Sequence, residues 1–343
     1  MNGIDIVVRH VDGSVPGFAE RCREYTGDYV PCQYRDLGEL RYVLRSISEN
    51  APWANVILAV QDKRHVPDYV DTRALRIVEH DAFIPAGHLP TFHWATILAH
   101  LDRIPGLSER YIAWSDDVAV SRPISADDFF DADELPRTGF GKYPVFPATG
   151  PKVSRYQAIQ IESSKFFREK TGRSDFCLLY PHMPVAMTRA LWREQFELFG
   201  QDPVYSTTVT MKSRGKEDEI RKIDPTHLFT NWVDICKRRR GPAARFFSMM
   251  REALLQSLWQ IPHVTPAIRP RFGKYAIVND TDRMKHNMAR LLREQATFLN
   301  VNDDAYDSWG WPGSEREVNP ESLDLLHGTL AQLFPEPGRY EWM

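Results

Sequence analysis

Cysteine is scarce in this 343-residue chain. Cys22, Cys32, Cys177 and Cys236 are scattered without a CxxC pair, so neither a zinc-ligand spacing nor a disulfide framework is offered. Reduced thiols in a cytoplasmic setting are the expectation. Long apolar runs are missing too. No window approaches the roughly 18 apolar residues that a spanning helix needs, and MNGIDIVVRHVDGS lacks the apolar length and basic flank of a signal peptide. There is no surplus of basic charge: a formal net charge of -3 argues against nucleic-acid binding driven by a basic surface. Internal repeats and low-complexity segments are absent. What remains, 43% hydrophobic and 26% charged, is ordinary globular composition, long enough for one large α/β domain or two modest ones.

The apolar pattern has a rhythm. IDIVV (4–8) reads as a strand buried on both faces and runs into a turn-rich loop, RHVDGSVPG. In 36–50, Leu37, Leu40, Val43, Leu44 and Ile47 fall at helical spacing behind Asp36, which is placed as an N-cap. Strands are expected at 55–62 and 75–78, a helix at 94–103, and then another strand in YIAWSDDVAV (111–120). Such alternation predicts a mainly parallel sheet flanked by helices, and these sheets bind ligands at the carboxyl ends of their strands. Asp12, Asp62 and the pair Asp116–Asp117 all fall at that edge. Beyond residue 130 the pattern loosens. Residues 136–151 read as a Pro/Gly-rich loop, with helices at 188–199, 243–260 and 282–299, the second of these most economically a packing helix, with a membrane-surface role as the other reading. FLNVNDDAYD (298–307) repeats the theme of an apolar run followed by paired aspartates. The divisions read this way are 1–135 for the α/β part, 136–310 for the rest of one catalytic domain, and 311–343 for a helical tail.

Two adjacent aspartates at a strand end have a plain explanation, since Asp forms turns with its own backbone. They also have a chemical one, a cation held between carboxylates and phosphate. Further stretches bear on the choice. IDIVVRHVDGSVP, the long run from YRDLGELRYVLRSISENAPWANVILAVQD through LPTF to IPGLSERYIAWSDDVAVSRPISADDFF, then PHMPVAMTRALWREQ and FLNVNDD, resemble the four sequence blocks of the Stealth phosphotransferases, in the family order. The resemblance implies an α/β fold of the glycosyltransferase A type and transfer of a sugar-1-phosphate from a nucleotide-diphosphate sugar to a glycan hydroxyl in capsule or exopolysaccharide synthesis. It also implies a divalent metal, magnesium or else manganese, a UDP-sugar as donor, and a glycan acceptor.

On that resemblance the metal set is Asp116, Asp117 and Asp303, and the donor set is Asp12, Gly13, Arg35, Arg41, Arg45 and Asn302. His182, in the His-x-Pro element of the third block, is the candidate base. Each has a plainer alternative: a turn for Asp12, a solvated helix face for Arg41 and Arg45, a structural role for His182. The chain also departs from the family pattern. His10 replaces the usual Trp before VDG, Ser115 replaces the usual Asn before the aspartate pair, and His93-Trp94-Ala95 stands where Asn-Ser-His is common. His93 is therefore a substitute base, and Asp117 could itself take the proton. The basic run Lys237–Arg240 reads as a solvated surface, with an anionic acceptor or peripheral membrane lipid as the other reading. Two rival functions stay open: a glycosyltransferase that releases a nucleoside diphosphate, and an inactive glycan-binding relative.

Overall fold

The computed structural model describes residues 3–27, 29–138, 144–145, 155–173, 177–178, 180–212, 223–258, 272–305 and 317–342. Its strands are β1 (Ile4–Arg9), β2 (Asn55–Val60), β3 (Arg76–Glu79), β4 (Arg110–Ser115), β5 (Val118–Val120), β6 (Pro144–Val145), β7 (Cys177–Leu178), β8 (Val185–Thr188), β9 (Phe272–Lys274) and β10 (Phe298–Asn300). The helices of the first half are α1 (Phe18–Thr26), α2 (Glu39–Asn50) and α3 (Trp94–Ala99). They are followed by α4 (Arg155–Thr171), α5 (Arg189–Phe199), α6 (Pro203–Thr210), α7 (Pro225–Trp232), α8 (Pro242–Leu258), α9 (Thr281–Glu294) and α10 (Pro320–Leu333).

A five-stranded sheet in the order β3-β2-β1-β4-β8 forms the centre. β1, β2, β3 and β4 run parallel, and β8 lies antiparallel against β4. The continuously apolar runs behave as expected for strands covered on both faces: Ile6, Val7, Val8, Leu58, Ala59, Val60, Ile112 and Trp114 are fully buried. α2 covers one face with Leu40, Val43, Leu44 and Ile47, the residues whose spacing announced it. It is also stitched to β5 through Asn50 Nδ2, which donates to the Val120 carbonyl, and Ser46 Oγ, which accepts from Val120 N. A smaller sheet, β5-β10-β9, stands beside the first, and β10 runs antiparallel to β5.

The chain adds β2 and β3 on one side of β1, then returns to place β4 on the other. The crevice between the carboxyl ends of β1 and β4 is thus a switch point, where α/β sheets hold ligands. Several boundaries differ from expectation for identifiable reasons. α2 starts at Glu39 because Gly38, at φ 84°, turns the chain just before it, and Asp36 closes a turn onto Gly38 N (2.8 Å) instead of capping the helix. α3 stops at Ala99 and a short 3₁₀ turn follows at Leu101–Arg103. The helix expected over 282–299 ends at Glu294, because Gln295 takes φ 43° and Phe298–Asn300 pair as a strand. The loop expected at 136–151 lies mostly outside the described residues, as do residues 306–307 of the last aspartate stretch. Helices α1, α4, α6 and α7 carry no match in the sequence reading, whereas α10 lies within the stretch expected as a helical tail.

Candidate functional site

Strand register builds the first contact. Arg9 on β1 is level with Ser115 on β4, so the residues that follow, His10 and Asp116, leave the sheet side by side. His10 Nδ1 lies 2.7 Å from Asp116 Oδ2, and its Nε2 lies 3.9 Å from Asp36 Oδ2 with no hydrogen-bond partner. Burial pulls this imidazole's pKa down, but the bond to Asp116 and its charge, with Asp36 behind, leave it above its ordinary value. Beneath the pair, Arg9 donates to Ser115 Oγ (2.7 Å) and to the Trp114 carbonyl (3.3 Å).

The antiparallel strand builds the second contact. Val185 is level with Ala113, so the residues entering β8 lie beside those leaving β4. That places His182 Nε2 3.0 Å from Asp117 Oδ1. The turn is braced from below, because the Tyr180 hydroxyl donates to the Pro184 carbonyl (2.7 Å) and Met183 N to the Pro181 carbonyl (2.9 Å). Asp117 Oδ2 accepts from Asn300 Nδ2 (2.8 Å), and the Asp117 carbonyl accepts from Val301 N (2.9 Å). Burial would raise the Asp117 pKa; His182, through charge and hydrogen bond, and Asn300 hold it below the usual carboxylate value. For His182 the opposite holds: burial lowers its pKa and Asp117 more than restores it. With 47% of its side chain open to solvent, His182 is the reachable member of the pair, and water screens the attraction.

Acidic charge accumulates around these contacts. Asp36 is pushed up by burial and pulled back by His10, and Glu39, buried at the start of α2, is held well above the usual carboxylate range by burial, then by Asp36 and Asp116. Glu39 Oε2 accepts from Leu37 N at 2.7 Å.

The remaining expected residues divide clearly. Arg35 Nε donates to Asp303 Oδ2 (2.9 Å) and its Nη2 is ion-paired with the same oxygen at 2.7 Å, while Asp303 Oδ1 accepts from Ala305 N. Asn302 Nδ2 donates to Asp304 Oδ1, which shares its carboxylate with Lys274. Asp12 Oδ1 closes a turn onto Ser14 N, and Asp12 N donates to His65 Nδ1. Gly13 packs so tightly that a Cβ would come within 2.7 Å of the Tyr29 hydroxyl and 2.8 Å of the Tyr34 carbonyl. His93 is buried ahead of α3 beside Thr91 and Thr96. Arg41 and Arg45 do not join the strand-end carboxylates. Arg45 grips both oxygens of Glu341 (2.6 and 2.9 Å) and the Phe334 carbonyl, and Arg41 lies over the Tyr69 ring at 4.3 Å, 3.7 Å from Glu341.

The three-aspartate metal set is not gathered either: among the described residues no group of three or more His, Cys, Asp or Glu side chains is arranged to hold a metal. Both oxygens of Asp117 and both of Asp303 are engaged. Asp116 Oδ1 has no hydrogen-bond partner among the described residues. Magnesium commonly takes one or two carboxylates and completes its shell with phosphate and water, so Asp116, with its open Oδ1, fits that requirement as a single carboxylate, and in this arrangement Asp117 and Asp303 do not. Sequence reasoning passed over His10, Asp36, Glu39 and Asn300 as site residues. The signal for His10 and Asp116 is the parallel register of β1 and β4, which the sequence does not give without the strand order.

Residues 33–138 match the family description "Stealth protein CR2, conserved region 2". The chain is 33% identical over 181 residues to the receptor polysaccharide phosphotransferase WefC of Streptococcus oralis, covering 50% of this chain and 54% of that one. To the capsular polysaccharide phosphotransferase CpsJ of Streptococcus thermophilus it is 30% identical over 207 residues, covering 57% of this chain and 78% of the relative. The chain thus spans about half the length of the first relative. The crystal structure of the galactosyltransferase LgtC with donor and acceptor sugar analogues superposes with a TM-score of 0.33 at 13% identity, over 94% of this chain and 95% of that one. On the sequence matches, the chain belongs to the Stealth family.

Proposed function

We propose that the chain transfers a sugar-1-phosphate from a nucleotide-diphosphate sugar, a UDP-sugar in the simplest case, to a hydroxyl of a glycan acceptor during polysaccharide synthesis. The observation that carries this reading is the Asp117–His182 pair at the switch point of the sheet. With Nε2–H donating to Asp117, the neutral imidazole keeps a lone pair on Nδ1, and that atom has no hydrogen-bond partner among the described residues. A weak hydroxyl nucleophile needs such a group within reach. The acceptor oxygen bonds to the sugar-bearing phosphorus and its proton passes to His182 Nδ1. The phosphorus–oxygen bond to the nucleotide breaks, and a nucleoside monophosphate leaves. Asp117 holds the ring in the tautomer that can accept and stabilises the imidazolium that forms, as a carboxylate does for a catalytic histidine elsewhere. Asp116 would hold a divalent cation, which when bound supplies positive charge to the diphosphate oxygens.

Family membership and the names of the relatives support the reaction class. The experiment is a panel of nucleotide sugars with a glycan acceptor and magnesium or manganese, followed by identification of the nucleotide released. Nucleoside monophosphate is expected. Nucleoside diphosphate would mean attack at the anomeric carbon and a glycosyltransferase, and donor binding without turnover would mean an inactive relative.

A further inference from the structure

No helix among the described residues is long and apolar enough to cross a membrane, yet one helix is turned the wrong way for a protein in water. Along α8, Ala243, Phe246, Phe247, Met250 and Leu254 recur at intervals of three and four and so share one face. The sequence pattern predicted that this face packs inward. It does not: Phe247 is 69% exposed, Leu254 58%, and Phe246 and Met250 47% each. Among the described residues the large exposed apolar side chains elsewhere are Tyr25, Leu198 and Trp342, whereas four stand together here. Contiguous apolar surface on a soluble protein marks a place where something binds.

The orientation is fixed from the opposite side. Arg245, which the helical period places across the axis from the stripe, is fully buried, donates to Asn231 Oδ1 at 2.8 Å and pairs with Asp234. Rolling α8 to bury its phenylalanines would draw that guanidinium away from Asp234 and strand a charge, so the apolar face is held outward by a buried ion pair.

The charge around the stripe names the occupant. Residues 235–251 contain six basic residues and no acidic one (Lys237, Arg238, Arg239, Arg240, Arg245, Arg251). Lys237, Arg238, Arg240 and Arg245 pair with Glu194, Asp131 and Asp234, so most of the basic run is not the solvated surface its sequence suggested. Arg239 and Arg251 are exposed and have no ion-pair partner among the described residues. They flank the stripe, Arg239 just ahead of the helix and Arg251 beside Met250. An apolar stripe bordered by unpaired arginines is the pattern of a helix that lies in the headgroup plane of an anionic bilayer. A soluble anionic glycan would complement the arginines but not the phenylalanines. A second copy would complement the phenylalanines but would set arginine against arginine.

We propose that the outward face of α8 seats the protein on an anionic lipid surface, with Phe246, Phe247, Met250 and Leu254 in the acyl boundary and Arg239 and Arg251 on lipid phosphates. This inference stands whether or not the sugar-phosphate reading is right. The test is co-sedimentation of the full chain with vesicles of phosphatidylcholine alone or mixed with phosphatidylglycerol. The parent is expected to pellet with the mixed vesicles. A Phe247→Ser/Leu254→Ser variant is expected to lose at least tenfold in vesicle affinity with an unchanged melting temperature, since both side chains are already in water. Arg239→Glu/Arg251→Glu should lose the preference for the anionic lipid. A parent that stays in the supernatant with both vesicle types overturns the proposal, as does a serine variant that binds like the parent. A parent dimer in solution that the serine variant splits assigns the face to a second copy and overturns it equally.

Discussion

Two pairs of adjacent aspartates end two strands of this molecule, and the chain treats them differently. Asp116 and Asp117 are each met by a histidine, His10 and His182. Asp303 and Asp304 are each met by a permanent cation, Arg35 and Lys274. A carboxylate on arginine is committed at any pH a protein survives. A carboxylate on histidine keeps a partner whose charge depends on conditions, and which can itself accept and release protons. On the proposed function the first pair is the reaction centre, and the second fastens the stretch before α2 to the loop after β10.

The sharpest way to break this contrast is to neutralise one aspartate of each pair. Asp117→Asn should lower turnover on the order of 10³-fold or more, because an amide favours the wrong histidine tautomer and stabilises no imidazolium. Its melting temperature should stay near the parent's. Asp303→Asn should do the reverse, losing about 2 kcal/mol of stability in urea unfolding as Arg35 loses its carboxylate, with turnover within a few fold. Equal rate losses in the two variants would abolish the distinction.

Next in size is His182→Ala, expected to lose about a hundredfold in turnover with donor affinity little changed, the usual scale for removal of a general base. The parent's rate should rise with pH through the His182 pKa, which Asp117 holds above its ordinary value. A His93→Ala variant that is dead while His182→Ala works would move the base to the residues before α3.

Histidines dominated by burial and not by a carboxylate bond sharpen the comparison. Burial lowers His227 and His80 to a pKa of about 3, and His100 to about 4. A histidine depressed in the folded state contributes stability that is full above its unfolded pKa and is lost as pH falls, so acid should weaken the fold from pH 6.5 downward. For His227 alone the loss between pH 7 and pH 5 is about 2 kcal/mol. Urea midpoints of the parent and His227→Gln should therefore converge as pH falls. The smallest effect is expected at Arg45→Lys. Lysine cannot reproduce the two-oxygen grip on Glu341, so stability should fall by about 1 kcal/mol, with donor affinity unchanged. A weakened donor would return Arg45 to the ligand.

The sheet was legible because its strands are continuously apolar and α2 is strongly periodic, and both are local properties. Asp116 and Asp117 were legible as a charge anomaly at a strand end. Their partners were not, because His10 meets Asp116 across 106 residues of sequence and His182 meets Asp117 across 65. Those contacts are fixed by strand register, which becomes readable only once β4 is known to lie between β1 and an antiparallel β8. Arg41 and Arg45 misled for the same reason: their helix face was read correctly, but the segment carrying Glu341 that covers it announces itself by no pattern. The outward face of α8 was misjudged because an amphipathic period does not say which side faces water. Arg245 decided that, through a partner on another element.

β8 is the last strand on its side of the central sheet, held only along β4 among the described residues. All four of its residues are buried, but a strand at the edge of a sheet can part from its one neighbour without breaking the other pairings. His182 rides directly ahead of it, so a transient release of β8 carries the imidazole away from Asp117 while the rest of the sheet stays closed. An intact Asp117–His182 pair thus requires β8 to stay zipped. Deuterium uptake by the backbone amides of 185–188 reports its opening residue by residue, and a bound acceptor that bridges His182 to the sheet would slow it.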